Sequence, residues 1–174
     1  MSLSHHLAEF NISRMIAPLE DPRMAEFVAR IDRVNAIADA APGFVWRMQT
    51  SDGDSLGIRA YDDERMLVNL SVWQNIEVLF DYVYRSEHQE SMRLRRQWFE
   101  PMIMDSMVMW WVPYGHIPDI MEAKMKLELL RSVGPQPEAF SPRRLFDPNG
   151  RPLRLRQGTV VHVDTDPGYP INTD

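Results

Sequence analysis

The order of strand-like and helix-like segments constrains the fold more than any other feature of this sequence. Four short segments have the composition of strands, at residues 7–12, 44–49, 66–73 and 107–112. A helical pattern of apolar residues separates the first strand from the second, and another separates the third from the fourth. Strand, helix, strand, strand, helix, strand is the order of the split βαβ motif. We therefore predict a ferredoxin-like α+β fold with one four-stranded antiparallel sheet.

Local signals place the helices. Asp21 before Pro22 predicts an N-cap and a first helical turn, and this helix should end near Ala40. The second helical pattern begins at Asn75, and an amphipathic, arginine-rich stretch follows at 87–99. The two stretches form one kinked helix or two. The arginines of the second stretch are typical of a solvated, salt-bridged helix face, and an anion site is the alternative.

The last part of the chain differs in composition from the rest. A final helix is predicted over 117–133, before prolines and arginines accumulate. We interpret 1–140 as the α+β domain and 141–174 as a C-terminal extension. The extension has enough leucine and valine to form a strand-like arm that packs on the domain, whereas its prolines would also suit a flexible tail.

Composition excludes several classes of function. The 174 residues include no cysteine, which removes disulfides, thiol nucleophiles and thiolate metal sites. A net charge of -6 does not favour binding to nucleic acid. The longest apolar run, 107–112, is far shorter than the roughly 20 residues of a membrane helix. We expect a cytoplasmic protein with neither a nucleic acid nor a membrane as partner.

Period-two alternation places a mixed set of side chains on one face of the sheet. Its large aromatic member is Trp73, and its polar members are Glu9, Asn11, Arg47, Gln49, Asn69 and Ser71. Because both helices are expected on the opposite face, this face should be uncovered. A solvated face has no need of a large indole, so we interpret the set as a dimer interface or a cavity rim and predict a homodimer.

Polar residues on these elements are candidates for binding or converting a small molecule. His88 follows Tyr84 by four positions, so a continuous helix would place both on one face, where an imidazole could transfer a proton. A partly exposed helix histidine is the simpler interpretation. Asn69 and Arg47 lie in mid-strand, where each could hold a ligand oxygen or simply face water.

Aromatic residues and further histidines complete the candidates. Most of the 5 tryptophans should belong to the core, but Trp73 and Trp98 could line an aromatic pocket. His116, in the loop after the fourth strand, could act as an acid or base or could cap the next helix. His5 and His6 have no carboxylate at ligand spacing, so we assign no metal site.

Four motifs carry a family resemblance. They are SVW at 71–73, VYRSEH at 83–88, RRQWFE at 95–100 and WWVPYGHIP at 110–118. In their order and wording they resemble domain-of-unknown-function family 3291, an uncharacterised bacterial family close to the antibiotic biosynthesis monooxygenase-like superfamily. The resemblance covers roughly residues 7–140. It implies a dimeric α+β barrel and brings no established reaction with it.

The wider superfamily includes cofactor-independent monooxygenases of aromatic polyketides and haem-degrading enzymes. It commonly has a tryptophan at the end of the third strand, which Trp73 matches. It also has a histidine in the following helix, where this chain has Tyr84, and His88 lies one helical turn further on. The resemblance therefore implies a pocket near Trp73 but does not carry the chemistry of that histidine with it.

Two functional hypotheses follow. The first is a monooxygenase-like enzyme that needs no metal or cofactor and acts on a small aromatic or enolisable substrate. Trp73, Asn69, Tyr84 and His88 would orient that substrate. The second is a non-catalytic dimeric protein that binds a small molecule or haem, or that supports another protein.

Overall fold

The main sheet of the protein is formed by four strands. The computed structural model describes residues 4–51, 56–85, 93–156 and 159–163. The strands are β1 (His5–Arg14), β2 (Phe44–Arg47), β3 (Met66–Trp73) and β4 (Met107–Pro113). Helix α1 (Ala25–Asp39) connects β1 with β2, and α2 (Ile76–Arg85) follows β3. The predicted order of strands and helices is confirmed.

The two central strands are the first and the third. The strand order is β2-β3-β1-β4, and each neighbouring pair is antiparallel. β1 pairs with β3 along its length, from Leu7 opposite Trp73 to Arg14 opposite Met66. This is the order of the split βαβ motif, so the predicted α+β class is confirmed. Residues at the middle of β1 lie at the centre of the molecule as a result.

The start of α1 follows the predicted signal. The Asp21 carboxylate accepts a 2.9 Å hydrogen bond from the backbone N–H of Arg23, and a 3-10 turn over Pro22–Met24 leads into the helix. After α1, Gly43 takes a φ of 81° at the entry to β2. A Cβ at Gly43 would lie 2.8 Å from the Val78 side chain, so glycine lets this turn pack closely against α2.

A third helix corrects one prediction about the faces of the sheet. In α3 (Ile120–Val133), Ala123, Leu127 and Leu130 are buried against the apolar face of the sheet. That face consists of Ala8, Phe10, Ile12, Val68, Leu70, Val72, Val108, Trp110 and Val112. The prediction that the mixed polar face would be uncovered is wrong, because α3 takes the apolar face and α1 and α2 cover the mixed one.

The described part of the C-terminal extension packs onto the rest of the protein. It forms a small antiparallel sheet from β5 (Leu145–Phe146), β6 (Pro152–Arg156) and β7 (Thr159–His162). Leu145 and Phe146 are buried in one apolar cluster with Phe140 and α2. The Trp111 indole donates a 2.7 Å hydrogen bond to the carbonyl of Phe146. The observed segment is therefore an arm that completes the core beside α2.

Hydropathy of the helices bears on membrane insertion. Within the described ranges, no helix combines the length and the apolar character needed to cross a membrane.

Candidate functional site

A cavity of about 210 Å³ lies between the mixed face of the sheet and helices α1 and α2. Its floor is formed by alternate residues of the two central strands. They are Glu9, Asn11 and Ser13 of β1 and Asn69, Ser71 and Trp73 of β3. These side chains share one face because residues two apart in a strand point the same way. Of the two interpretations offered for this face, the cavity is the one that the structure shows.

The walls of the cavity are mostly apolar. The wall residues are Phe27, Ile31 and Val34 from α1, Leu79, Tyr82 and Val83 from α2, and Trp98 and Phe99. The rings of Phe27 and Trp98 lie 5.7 Å apart, and the Trp73 and Tyr82 rings stack at 5.0 Å. Apolar walls with a few placed polar groups are typical of small-molecule sites. The volume is below the usual range of roughly 300–1,000 Å³, which favours a small ligand.

Glu9 is the buried carboxylate of the cavity floor. Its side chain is almost fully buried, with 4% of the residue exposed. Its oxygens accept hydrogen bonds from the Asn11 amide at 2.8 Å and the Ser71 hydroxyl at 3.1 Å. Loss of water on burial raises the pKa of Glu9 to about 7, although these two hydrogen bonds act in the opposite direction. Near neutral pH, Glu9 can therefore both accept and return a proton.

Trp73 is connected to Glu9 through a serine. The Trp73 indole N–H donates a 2.9 Å hydrogen bond to the hydroxyl oxygen of Ser71. The Ser71 hydroxyl then directs its own hydrogen to Glu9. The Trp73 ring is fixed by the stacked Tyr82 and by an edge contact with Phe44 at 5.3 Å. These contacts connect the Glu9 carboxylate to the Trp73 ring within the cavity floor.

Arg47 and Arg95 are two of the three arginines among the described residues that line the cavity. Arg47 gives two N–H groups to Asp39, at 2.8 and 3.1 Å, and its buried Nη1 has no hydrogen-bond acceptor among the described residues. Arg95 donates a 2.8 Å hydrogen bond to the Ser13 hydroxyl and lies 5.9 Å from the centre of the Phe99 ring. Burial lowers the pKa of Arg95. Both side chains can present donors to a ligand.

Four of the seven residues proposed from sequence line this cavity. They are Arg47, Asn69, Trp73 and Trp98. Tyr84 is 52% exposed, and its ring packs against Phe80 at 5.7 Å. Tyr82 lines the cavity instead. Two positions along a helix correspond to a rotation of about 200° about its axis, so Tyr82 and Tyr84 point in nearly opposite directions. His88 lies outside the described residues.

His116 lies at the start of α3, away from the residues that line the cavity. Its Nε2 is 2.7 Å from an Oε2 atom of Glu122, in the first turn of that helix. The other carboxylate oxygen of Glu122 accepts a 2.8 Å hydrogen bond from the Trp110 indole. The N-cap of α3 is Asp119, whose carboxylate accepts a 2.8 Å hydrogen bond from the backbone N–H of Glu122. His116 therefore contacts the first turn of α3 through the Glu122 side chain and is not its cap.

Sequence reasoning missed the chemical importance of three cavity residues. Glu9 was assigned to the correct face, but its burial could not be foreseen while that face was expected to meet water. The available signal was a single carboxylate between the apolar residues Ala8 and Phe10 in a central strand. The charge pattern around Arg95 predicts a solvated helix face, and the four-residue spacing to His88 indicates Tyr84, whereas Arg95 and Tyr82 line the cavity.

Metal ligands are a separate question. The described part of the chain holds no group of three or more histidine, aspartate or glutamate side chains that could bind a metal ion.

Comparison with known proteins gives a family and distant structural neighbours. The family model for DUF3291, a domain of unknown function, matches residues 6–156. No curated protein matches the sequence significantly. Two crystal structures of SnoaB, a cofactor-independent oxygenase from Streptomyces nogalater, have 15% identity and a TM-score of 0.44. One is a point mutant, and the two matches cover 67% and 66% of this chain and 99% and 98% of SnoaB. Identity this low carries no activity with it, whereas the family match spans most of the chain, which therefore belongs to the DUF3291 family.

Proposed function

We propose that this protein is an enzyme that removes a proton from a small, flat aromatic or enolisable substrate, with Glu9 as the base. The observation that carries the proposal is the buried Glu9 carboxyl in the cavity floor, with a pKa of about 7. A base of that pKa is half ionised at neutral pH, where general base catalysis is most effective. The ring system of the substrate would lie against Trp73 and Tyr82.

In this proposal, the amide of Asn69 stabilises the product of proton removal. Asn69 lies opposite Asn11 in the β1–β3 register, one alternate position from Glu9. Its side chain faces the cavity and is exposed there, so its N–H groups can donate to a ligand oxygen. Proton removal from a carbon beside a carbonyl moves negative charge onto that oxygen. A donor already aimed at the oxygen stabilises this charge in the transition state.

Oxygenation is the reaction that we propose for the resulting carbanion. The base takes a proton from a CH2 group beside a carbonyl, or from the hydroxyl of a phenol that has a hydrogen on its para carbon. The carbanion, or the para carbon of the phenolate, then adds to dioxygen to give a peroxide anion. Protonated Glu9 returns its proton to the peroxide, and loss of water then leaves a ketone. Dioxygen is the oxidant and ends as the ketone oxygen and the oxygen of water, so the step needs no external reductant.

Oxygen uptake and proton exchange together test this function. Small enolisable ketones and phenols of one or two rings should be oxidised with one dioxygen consumed per ketone formed. The Glu9→Gln variant should be slower by roughly 100- to 10,000-fold. Glu20→Gln, at an exposed position, is the matched control and should keep full activity.

The possible outcomes separate the hypotheses. Exchange of substrate C–H with deuterium from the solvent, without oxygen uptake, would retain Glu9 as base and remove the oxygenation step. Ligand binding with neither exchange nor uptake would favour the non-catalytic binding protein.

The homodimer predicted from the sequence is a proposal that the mass in solution tests. The sequence argument relied on an uncovered sheet face, and both faces are covered by helices of the same chain. Light scattering in dilute solution should give about twice the chain mass of 20.3 kDa. A single-chain mass would reject the dimer without affecting the assignment of Glu9.

A further inference from the structure

The cavity contains a cation that the described protein does not neutralise. Arg95 donates to the hydroxyl of Ser13, which is a neutral partner, and pairs with no carboxylate among the described residues. Arg95 is half-buried, and the loss of part of the water around a guanidinium is unfavourable unless another charge compensates it. An anion that enters the cavity would supply this compensation.

The other arginines that line the cavity differ from Arg95. Arg30 and Arg47 each have a nitrogen within 2.9 Å of a carboxylate oxygen. Glu9 is the one carboxylate among the described residues of the lining, and it is partly protonated at neutral pH. The described lining therefore has an excess of positive charge, and Arg95 is its source.

Arg95 and Glu9 lie toward opposite ends of the cavity floor. Ser13, which holds Arg95, is four positions from Glu9 on the same face of β1. At about 3.3 Å per residue, the two Cα atoms are about 13 Å apart. The Arg95 and Glu9 side chains both line the cavity, so the distance that a ligand must span between their polar groups is shorter than this Cα separation. A ligand that contacts both is therefore elongated, with polar groups at its two ends and apolar rings between them.

We propose that Arg95 is the anion-binding residue of this cavity and that the substrate is an elongated aromatic carboxylate. The carboxylate pairs with Arg95, and an acidic hydroxyl or C–H group at the other end faces Glu9. A carboxylate matches the flat, forked donors of a guanidinium, and it is the smaller of the two anions, carboxylate and phosphate, that do so. The Glu9 end of this inference rests on the proposed function, whereas the Arg95 end rests on the geometry of the cavity.

Equilibrium binding of matched two-ring ligands tests the inference independently of catalysis. The probes are 6-hydroxy-2-naphthoate, its methyl ester and 2-naphthoate, and the readout is fluorescence titration. The charge-assisted hydrogen bond to Arg95 should make the hydroxynaphthoate bind roughly 10- to 100-fold tighter than its ester. Arg95→Met should abolish that difference, and Arg95→Lys should restore part of it. Arg96→Met, at an exposed neighbouring position, is the control and should bind like the wild type.

Several results would overturn the inference. They are equal affinity of the wild type for acid and ester, equal losses in the Arg95 and Arg96 variants, and no binding of any probe to the wild type. The binding experiment tests the anion site at Arg95, and the turnover experiment tests Glu9 as base, so either claim can fail without the other. Carboxylate binding that depends on Arg95, combined with turnover unaffected by Glu9→Gln, would retain the anion site and reject Glu9 as base. Turnover that needs Glu9, combined with carboxylate binding that does not depend on Arg95, would retain Glu9 as base and reject the anion site.

Discussion

The Ser71 hydroxyl donates a 3.1 Å hydrogen bond to the carboxylate of Glu9 across the two central strands. The two residues are direct partners in the antiparallel register of β1 and β3. The oxygen of the same hydroxyl accepts the indole N–H of Trp73 at 2.9 Å, which leaves its hydrogen for Glu9. The strand register thus connects Trp73, the aromatic residue of the cavity floor, to Glu9, the carboxyl group whose pKa burial raises to about 7.

Removal of the Ser71 hydroxyl should raise the pKa of Glu9 further. The hydrogen bond from Ser71 favours the ionised carboxylate, so Ser71→Ala loses that stabilisation. The acid limb of the pH–rate profile should move to higher pH. The buried Trp73 N–H also loses its acceptor, which should cost about 1–3 kcal/mol of unfolding free energy. Ser132→Ala, on an exposed part of α3, should change neither quantity. An acid limb that stays in place in Ser71→Ala would contradict the hydrogen-bond relay.

Replacement of Glu9 should change how stability depends on pH. The folded protein raises the pKa of Glu9 from an ordinary 4.5 to about 7, so folding favours the protonated form. The contribution of this group to stability is complete below pH 4.5 and is lost as the pH rises through about 7. This difference between the two pKa values corresponds to about 3 kcal/mol of unfolding free energy. The unfolding free energy of the wild type, measured with urea, should therefore fall by this amount relative to that of Glu9→Gln between pH 4.5 and 8. Parallel plots of unfolding free energy against pH for the two proteins would reject the prediction.

The two neighbouring tyrosines of α2 should differ in ligand binding. Tyr82 stacks on Trp73 and lines the cavity, whereas Tyr84 is exposed on the other side of the helix. Tyr82→Ala should weaken binding of the hydroxynaphthoate by about 2- to 10-fold, the value of one lost aromatic contact. Tyr84→Ala should bind like the wild type. Equal losses in the two variants would support the substrate-orienting role that the sequence predicts for Tyr84.

The C-terminal arm should contribute to stability through Phe146. This side chain is buried, and its ring lies 5.9 Å from that of Phe140. Phe146→Ala should lower the unfolding free energy by about 3–5 kcal/mol, because it leaves a cavity in the core. Leu155→Ala, at an exposed position in β6, should change it by less than about 0.5 kcal/mol. Similar small effects at both positions, measured by chemical denaturation, would mean that the arm does not belong to the core.

Local patterns in the sequence predicted the elements well, because their signals lie within a few residues of each other. The Asp21–Pro22 pair marked the start of the first helix, and the segment 66–73 coincides with β3. The patterns did not predict which face of the sheet each helix covers. That choice depends on long-range packing of Leu127 and Leu130, which no local pattern reports.

The same distinction explains how much of the candidate site could be predicted. Trp73 and Asn69 were found because strand alternation assigns a face without tertiary knowledge. The burial of Glu9 depends on α1 and α2 covering that face, so its raised pKa was beyond sequence reasoning. The choice between Tyr82 and Tyr84 required the rotation of α2 about its axis, which is also set by packing.

Direct titration of the Glu9 carboxyl group tests the central claim most directly. Carbon NMR of the glutamate side-chain carboxyls, compared between the wild type and Glu9→Gln, identifies the resonance of this group. We predict a pKa of about 7, the value expected for a carboxyl group buried in the cavity floor. A pKa near the ordinary 4.5 would contradict the account, because such a group would be a solvated carboxylate too weakly basic for the proposed reaction.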